Sequence, residues 1–185
     1  MTDNIADLPT LPDLLRPGLD LVFVGINPGE RSARRGHYYG HPGNAFWRRL
    51  SASPLAGRTL ACEDDATLLS AGIGFTDVVK RVITDSTQIS DEEMREAVPA
   101  FLRRLAPVAP RAVCFTATRP FEANYPRAWR SHGWGRQDVA PLLGAEVWVM
   151  PSPSGRAAGS HQHIDRVLAD LAASLGRTQP RRGAA

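Results

Sequence analysis

The chain has 185 residues, 43% hydrophobic and 22% charged, with a formal net charge of +3. These values suit one globular domain with a substantial core, and no apolar run approaches the ~20 residues that span a bilayer. Met1-Thr2-Asp3-Asn4 lacks the basic start and apolar run of a signal peptide, so a cytosolic location without membrane contact is expected.

Cys62 and Cys114 are far apart, and Cys114 lies in an apolar run, which predicts buried free thiols rather than a disulfide. No Cys/Cys or Cys/His spacing suits zinc or an iron–sulfur cluster, and His37, His41, His161 and His163 have no partners at metal-ligand spacing. Of 22 basic residues all but Lys80 are arginine. Arginine codons of a GC-rich genome account for this as well as phosphate contact does.

In chain order, residues 1–13 are polar and proline-interrupted and read as a loose arm, with the domain proper over 14–176. Asp20 to Gly25 reads as a strand, and Asn44 as the cap of a helix through Phe46, Trp47 and Leu50. A short helix follows over 64–69, closed near Gly72, then a strand from Gly74 to Val79. Ser90 and Glu93 form a capping box ahead of Met94, Phe101 and Leu105, while Pro99 predicts a kink or two short helices. Ala112 to Thr116 reads as a strand, Pro120 to Tyr125 as a helical turn, and Glu146 to Met150 as the last strand. Ile164, Val167, Leu168, Leu171 and Leu175 mark one face of a closing helix, and the basic tail over 177–185 is expected to be flexible. Alternating strands and helices imply a mostly parallel sheet covered on both faces.

Two turns carry the chemistry. Gly25-Ile26-Asn27-Pro28-Gly29 follows the first strand, and Ser152-Pro153-Ser154-Gly155-Arg156 follows the last. Carboxyl ends of parallel strands are where open α/β sheets bind ligands. The first turn has neither a phosphate-loop ending nor a GxGxxG fingerprint. It displays Asn27, which can hold a water or orient a polar ring, or can simply bond its own turn. Tyr39, in the glycine-flanked stretch Gly36-His37-Tyr38-Tyr39-Gly40, offers a stacking surface, whereas Phe46 and Trp47 read as core.

Gly-Ile-Asn-Pro-Gly after the first strand, His41-Pro42-Gly43-Asn44-Ala45-Phe46-Trp47, and Pro-Ser-Gly after the last strand together resemble the mismatch-specific uracil/thymine DNA glycosylases, within the uracil-DNA glycosylase superfamily. The likeness runs from about Pro17 to Leu175. It implies a three-layer α/β/α fold with a four-stranded, mainly parallel central sheet. It also implies a monomeric enzyme without metal or cofactor, in the cytosol or nucleoid of a bacterium. The partner would be double-stranded DNA containing uracil or G·U and G·T mismatches, and the reaction hydrolysis of the N-glycosidic bond of a flipped base, leaving an abasic site.

By the same resemblance Asn27 positions the attacking water, Gly25, Ile26 and Pro28 line the base, and Tyr39 stacks on it. Gly29 falls where the strictly uracil-specific branch carries a tyrosine, so the C5 side would admit thymine or C5-modified pyrimidines. Ser152 replaces a usual asparagine. Ser154, Gly155, Arg156 and Ala157 form the loop that enters the duplex, with Arg156 in place of the usual leucine wedge, where it can intercalate or contact a phosphate. Asp77 departs from the family pattern: at a neighbouring strand end it could be a general base, or else a capping or exposed aspartate paired with Lys80. Two rivals remain at this stage: a mismatch-binding module that does not cut, and a nucleoside-cleaving α/β hydrolase, for which no Gly-x-Ser-x-Gly elbow is present.

Overall fold

A computed structural model describes residues 5–129 and 133–177, except the side chains of Ala6, Arg156, Ala157 and Ala158. Five strands form one sheet: β1 (Leu21–Gly25), β2 (Ile73–Asp77), β3 (Ala112–Phe115), β4 (Gly135–Arg136) and β5 (Glu146–Val149), in the order β2-β1-β3-β5-β4. The first four neighbours in this order, β2, β1, β3 and β5, are parallel, and β4 joins β5 antiparallel at the edge. The sheet thus has one strand more than the four expected. The extra strand is only two residues long, and a pair such as Gly135-Arg136 has no alternation to reveal it.

The helices are α1 (Glu30–Arg35), α2 (Phe46–Ala52), α3 (Asp91–Leu105), α4 (Thr118–Asn124) and α5 (His161–Ser174). Successive strand residues point to opposite faces, which divides the core in two. Leu21, Phe23, Ile73, Phe75 and Cys114 pack with Phe46 and Leu50 of α2 and with Ile164, Leu168 and Leu171 of α5. Val22, Val24, Val113, Phe115 and Val149 pack with Met94, Phe101 and Leu105 of α3 and with Phe121 of α4. This is a three-layer α/β/α sandwich. Both cysteines are buried free thiols.

Local signals account for most of the elements. The Asn44 side chain accepts from Phe46 N–H at 2.9 Å, and Ser90 Oγ accepts from Glu93 N–H at 3.0 Å. The segment expected as a helix over 64–69 is a 3-10 stretch, Cys62–Leu69. α3 is one helix of 15 residues rather than two, with Pro99 inside it. Pro99 faces solvent, where the carbonyl that loses its donor stays hydrated.

The N-terminal stretch is not loose up to residue 13. Leu11 is 2% exposed, and Leu14 exchanges 3.0 Å backbone hydrogen bonds with Phe75 as an isolated antiparallel bridge on the edge of β2. The chain from Leu11 is therefore a strap on the sheet edge. At the other end Arg177 pairs with Asp20 at 2.8 Å, and the remainder of the expected flexible tail lies outside the described residues. No helix among the described residues is long and apolar enough to cross a membrane.

Candidate active site

β2 and β3 flank β1 on opposite sides, so the strand order reverses beside β1, and the carboxyl ends of these strands are the position at which open α/β sheets bind ligands. Gly25 and Asp77 close β1 and β2 as register partners. The approach is so close that a Cβ on Gly25 would lie 2.2 Å from Asp77 Oδ1 and 3.7 Å from Tyr39 Oη. Glycine is required there by space, not by backbone angle.

Asp77 is buried, and its Oδ2 has no hydrogen-bond partner among the described residues. Desolvation dominates its environment and pushes its carboxyl up to about 7, against the pull of Lys80 and Arg104. Lys80 does not form an ion pair with it. The ammonium instead bonds Asp13 Oδ1 at 2.8 Å, with Tyr38 Oη at 3.5 Å. Asp77 is thus neither an exposed residue nor the salt-bridge partner of Lys80.

The Asn27 side chain is locked by its nitrogen. Nδ2 donates to the carbonyls of Pro28 at 2.9 Å and Ile83 at 3.0 Å, with that of Arg81 at 3.4 Å. Carbonyls can only accept, so this network decides which end of the amide is which. Oδ1 has no protein partner among the described residues and remains available as an acceptor. Asn27 therefore both bonds its own turn and ties that turn to loop 81–83. Ile26 O accepts from Val79 N–H at 2.9 Å, whereas Ile26 N–H has no acceptor among the described residues. Gly29 has no atom within 4 Å of a built Cβ and stands at the N-terminus of α1, so that side of the turn is open.

Tyr39 lies in the left-handed region, with φ 53°, a strained choice for a non-glycine residue. Its ring stacks on Phe46 with centroids 4.0 Å apart, and its hydroxyl and that of Thr116, just beyond β3, lie 3.1 Å apart. Burial raises the phenol well above its ordinary range, with ionised Asp77 adding to the effect. Tyr39 thus stands with its hydroxyl beside the ends of β1 and β3 and one face against Phe46. Behind it, Asp65 accepts from Tyr38 N–H at 3.0 Å and meets His37 Nδ1 at 3.1 Å, fixing the loop.

The second turn is brought against the loop before α2. Pro153 O accepts from Ala45 N–H at 2.8 Å, and a Cβ on Gly155 would lie 3.5 Å from Gly43 O. Ser152 Oγ accepts from Ser154 N–H at 3.3 Å, and His161 Nε2 donates to Ser154 O at 3.1 Å. Arg156 and Ala157 have backbone in the 3-10 turn Gly155–Ser160, while their side chains lie outside the described residues. A cavity of about 520 Å³ between the N-terminal segment and Lys80–Ile83 includes neither Asp77 nor Tyr39.

Two polar residues at the site, Asp13 and Arg104, went unrecognised in the sequence. Asp13 Oδ1 accepts from Thr76 Oγ1 at 2.7 Å and from Lys80, while Oδ2 lies 2.8 Å from Arg104 Nε. Arg104 Nη2 in turn donates to Asp77 O at 2.7 Å. The only local hint was an acid flanked by apolar residues, Pro12-Asp13-Leu14. Among the described residues no group of three or more His, Cys, Asp or Glu is gathered as metal ligands would be.

Residues 12–172 match the sequence model of the uracil DNA glycosylase superfamily. Among solved structures, the chain is similar to the solution NMR structure of a protein from Methanosarcina acetivorans named as a candidate uracil DNA glycosylase. The two are 26% identical, the match covers 89% of this chain and 98% of the other, and the TM-score is 0.55.

Proposed function

The chain belongs to the uracil DNA glycosylase superfamily, whose members are DNA glycosylases, and from that premise we propose that it removes uracil from mismatched duplex DNA by hydrolysing the N-glycosidic bond. The observation that carries this reading is the Asp77 carboxylate, buried with an unpartnered Oδ2 at the strand end beside the Asn27 turn.

Flipping a base out of the stack costs a few kcal/mol, least at a mismatch, which selects for G·U before any pocket contact. Tyr39 then stacks on the flipped base, with Gly25, Ile26 and Pro28 along its edge. As the C1′–N1 bond lengthens, the sugar becomes cationic and the base anionic. The unpartnered Ile26 N–H is the donor that stabilises the leaving base. Asn27, its nitrogen held by backbone carbonyls, presents Oδ1 to the attacking water, and ionised Asp77 takes the proton as the water adds to C1′. The products are free base and an abasic site.

Water as nucleophile makes the enzyme monofunctional. The single lysine is bound by Asp13, which leaves it poorly suited to attack the sugar as an amine. The open side at Gly29 admits a C5 substituent, extending the substrate range to thymine in G·T. Ser152 orders the second turn, and Ser154, Gly155, Arg156 and Ala157 fill the vacated position in the duplex.

Purified protein incubated in EDTA with duplexes carrying G·U, A·U and G·T, and with single-stranded uracil, tests this directly. Alkali-labile abasic sites in G·U are expected. Intact DNA, or activity restored only by added metal, contradicts it.

A further inference from the structure

We propose that Asp13 is a positioning residue that governs the charge of Asp77 by holding Lys80 and Arg104 in a shared ion-pair cluster; this rests on the reading of Asp77 as the base. Asp13 arrives on the strap at the edge of β2, and its two carboxylate oxygens take three groups around the strand end. Thr76 Oγ1 and Lys80 Nζ are on Oδ1, at 2.7 and 2.8 Å, and Arg104 Nε is 2.8 Å from Oδ2. Each belongs to the surroundings of Asp77: Thr76 precedes it, Lys80 follows three residues on, and Arg104 bonds its carbonyl.

The charge count gives the arrangement its consequence. Two cations and Asp13 sum to +1, so ionised Asp77 makes the cluster neutral. Without Asp13 the two cations lose their shared partner, and Asp77 becomes the carboxylate they can reach. Among the described residues the remaining titratable groups facing Asp77 are the phenols of Tyr38 and Tyr39, both raised by burial and therefore neutral across the working range. Burial raises the Asp77 carboxyl most; Lys80 and Arg104 pull it back down and Asp13 pushes it up, so the cluster tunes a titration that burial has brought near neutrality.

The test is a 13C NMR titration of aspartate carboxyl carbons in the full chain, with the Asp77 signal identified by its loss in Asp77→Asn, run beside single-turnover cleavage of G·U duplex. Asp13→Asn is expected to lower the Asp77 midpoint by about one pH unit or more. Lys80→Gln, which removes a cation and leaves Asp13, is expected to raise it. A merely structural role for Asp13 leaves the Asp77 midpoint of Asp13→Asn at its wild-type value. Should Asp13→Asn fail to fold, Asp13→Ser, which removes the same charge, decides: a lowered midpoint supports the proposal and an unchanged one overturns it. If the midpoints move and the acid limb of the rate profile moves with them, the positioning role in catalysis stands. If the midpoints move while the rate limb stays, control of the Asp77 charge is upheld and the general-base reading is overturned.

Discussion

Gly25 and Asp77 end adjacent parallel strands in register, and the Asp77 carboxylate lies across Gly25 at a distance no Cβ could occupy. Backbone and catalytic candidate are thus fitted to each other, and the fit can be broken with one methyl group. Gly25→Ala must displace the carboxylate or the strand end. It should cost about 1–3 kcal/mol of stability and slow cleavage on the order of tenfold or more. Gly29→Ala, four residues on and in open space, is the stability control and should melt within about 0.5 kcal/mol of wild type. Equal melting of both variants contradicts the packing argument.

Asn27→Ala should reduce the single-turnover rate by roughly 100-fold or more while leaving duplex affinity nearly unchanged, because affinity comes mostly from phosphate contacts. The variant also loses the amide bonds to loop 81–83, so a stability loss of about 1–2 kcal/mol accompanies it. A parallel fall in affinity and rate assigns Asn27 to the turn alone.

Asp77 also links stability to pH. Burial raises its folded pKa from 3.8 to about 7. A group raised in this way favours folding fully below its unfolded value, and the advantage is lost as pH rises from about 4 through about 7. Asp77→Asn cannot ionise and escapes that loss, in which every tenfold change in the ionisation equilibrium is worth roughly 1.4 kcal/mol. The melting temperature of the variant relative to wild type should therefore be higher at pH 8 than at pH 4. A difference that does not change with pH contradicts the buried ionisation.

Arg156 distinguishes a wedge from an anchor. If its loop fills the duplex, Arg156→Ala should impair cleavage of A·U more than G·U, because the stabler pair costs more to open, and Arg156→Leu should restore it. Equal weakening on every duplex, with the salt slope reduced by about one, identifies a phosphate contact instead.

Much of this was legible in the sequence because it is local. β1 and β5 are apolar runs that end in glycine- and proline-rich turns, so the residue order alone places Asn27, Gly29 and Ser152 at strand ends. Tyr39 was visible through its flanking glycines. What escaped is what only tertiary contact creates. Asp13 sits among prolines and looks unstructured, yet its partners Thr76, Lys80 and Arg104 are 63 to 91 residues away. The two-residue β4 carries no period, and Pro99 signalled a break that a solvent-facing position in α3 tolerates. The burial of Asp77 depends on its neighbour in β1 being a glycine, a relation between strands that residue spacing does not encode.

The most direct test of the central claim is the single-turnover rate on a G·U duplex for wild type and Asp77→Asn from pH 5 to 9. A base must be ionised to act, so the wild-type rate should climb with pH and level off above about 7, where the Asp77 carboxyl titrates. Asp77→Asn should be slower throughout and lack that limb. A variant as fast as wild type at neutral pH, or one that keeps the same acid limb, contradicts the assignment of Asp77 as the base.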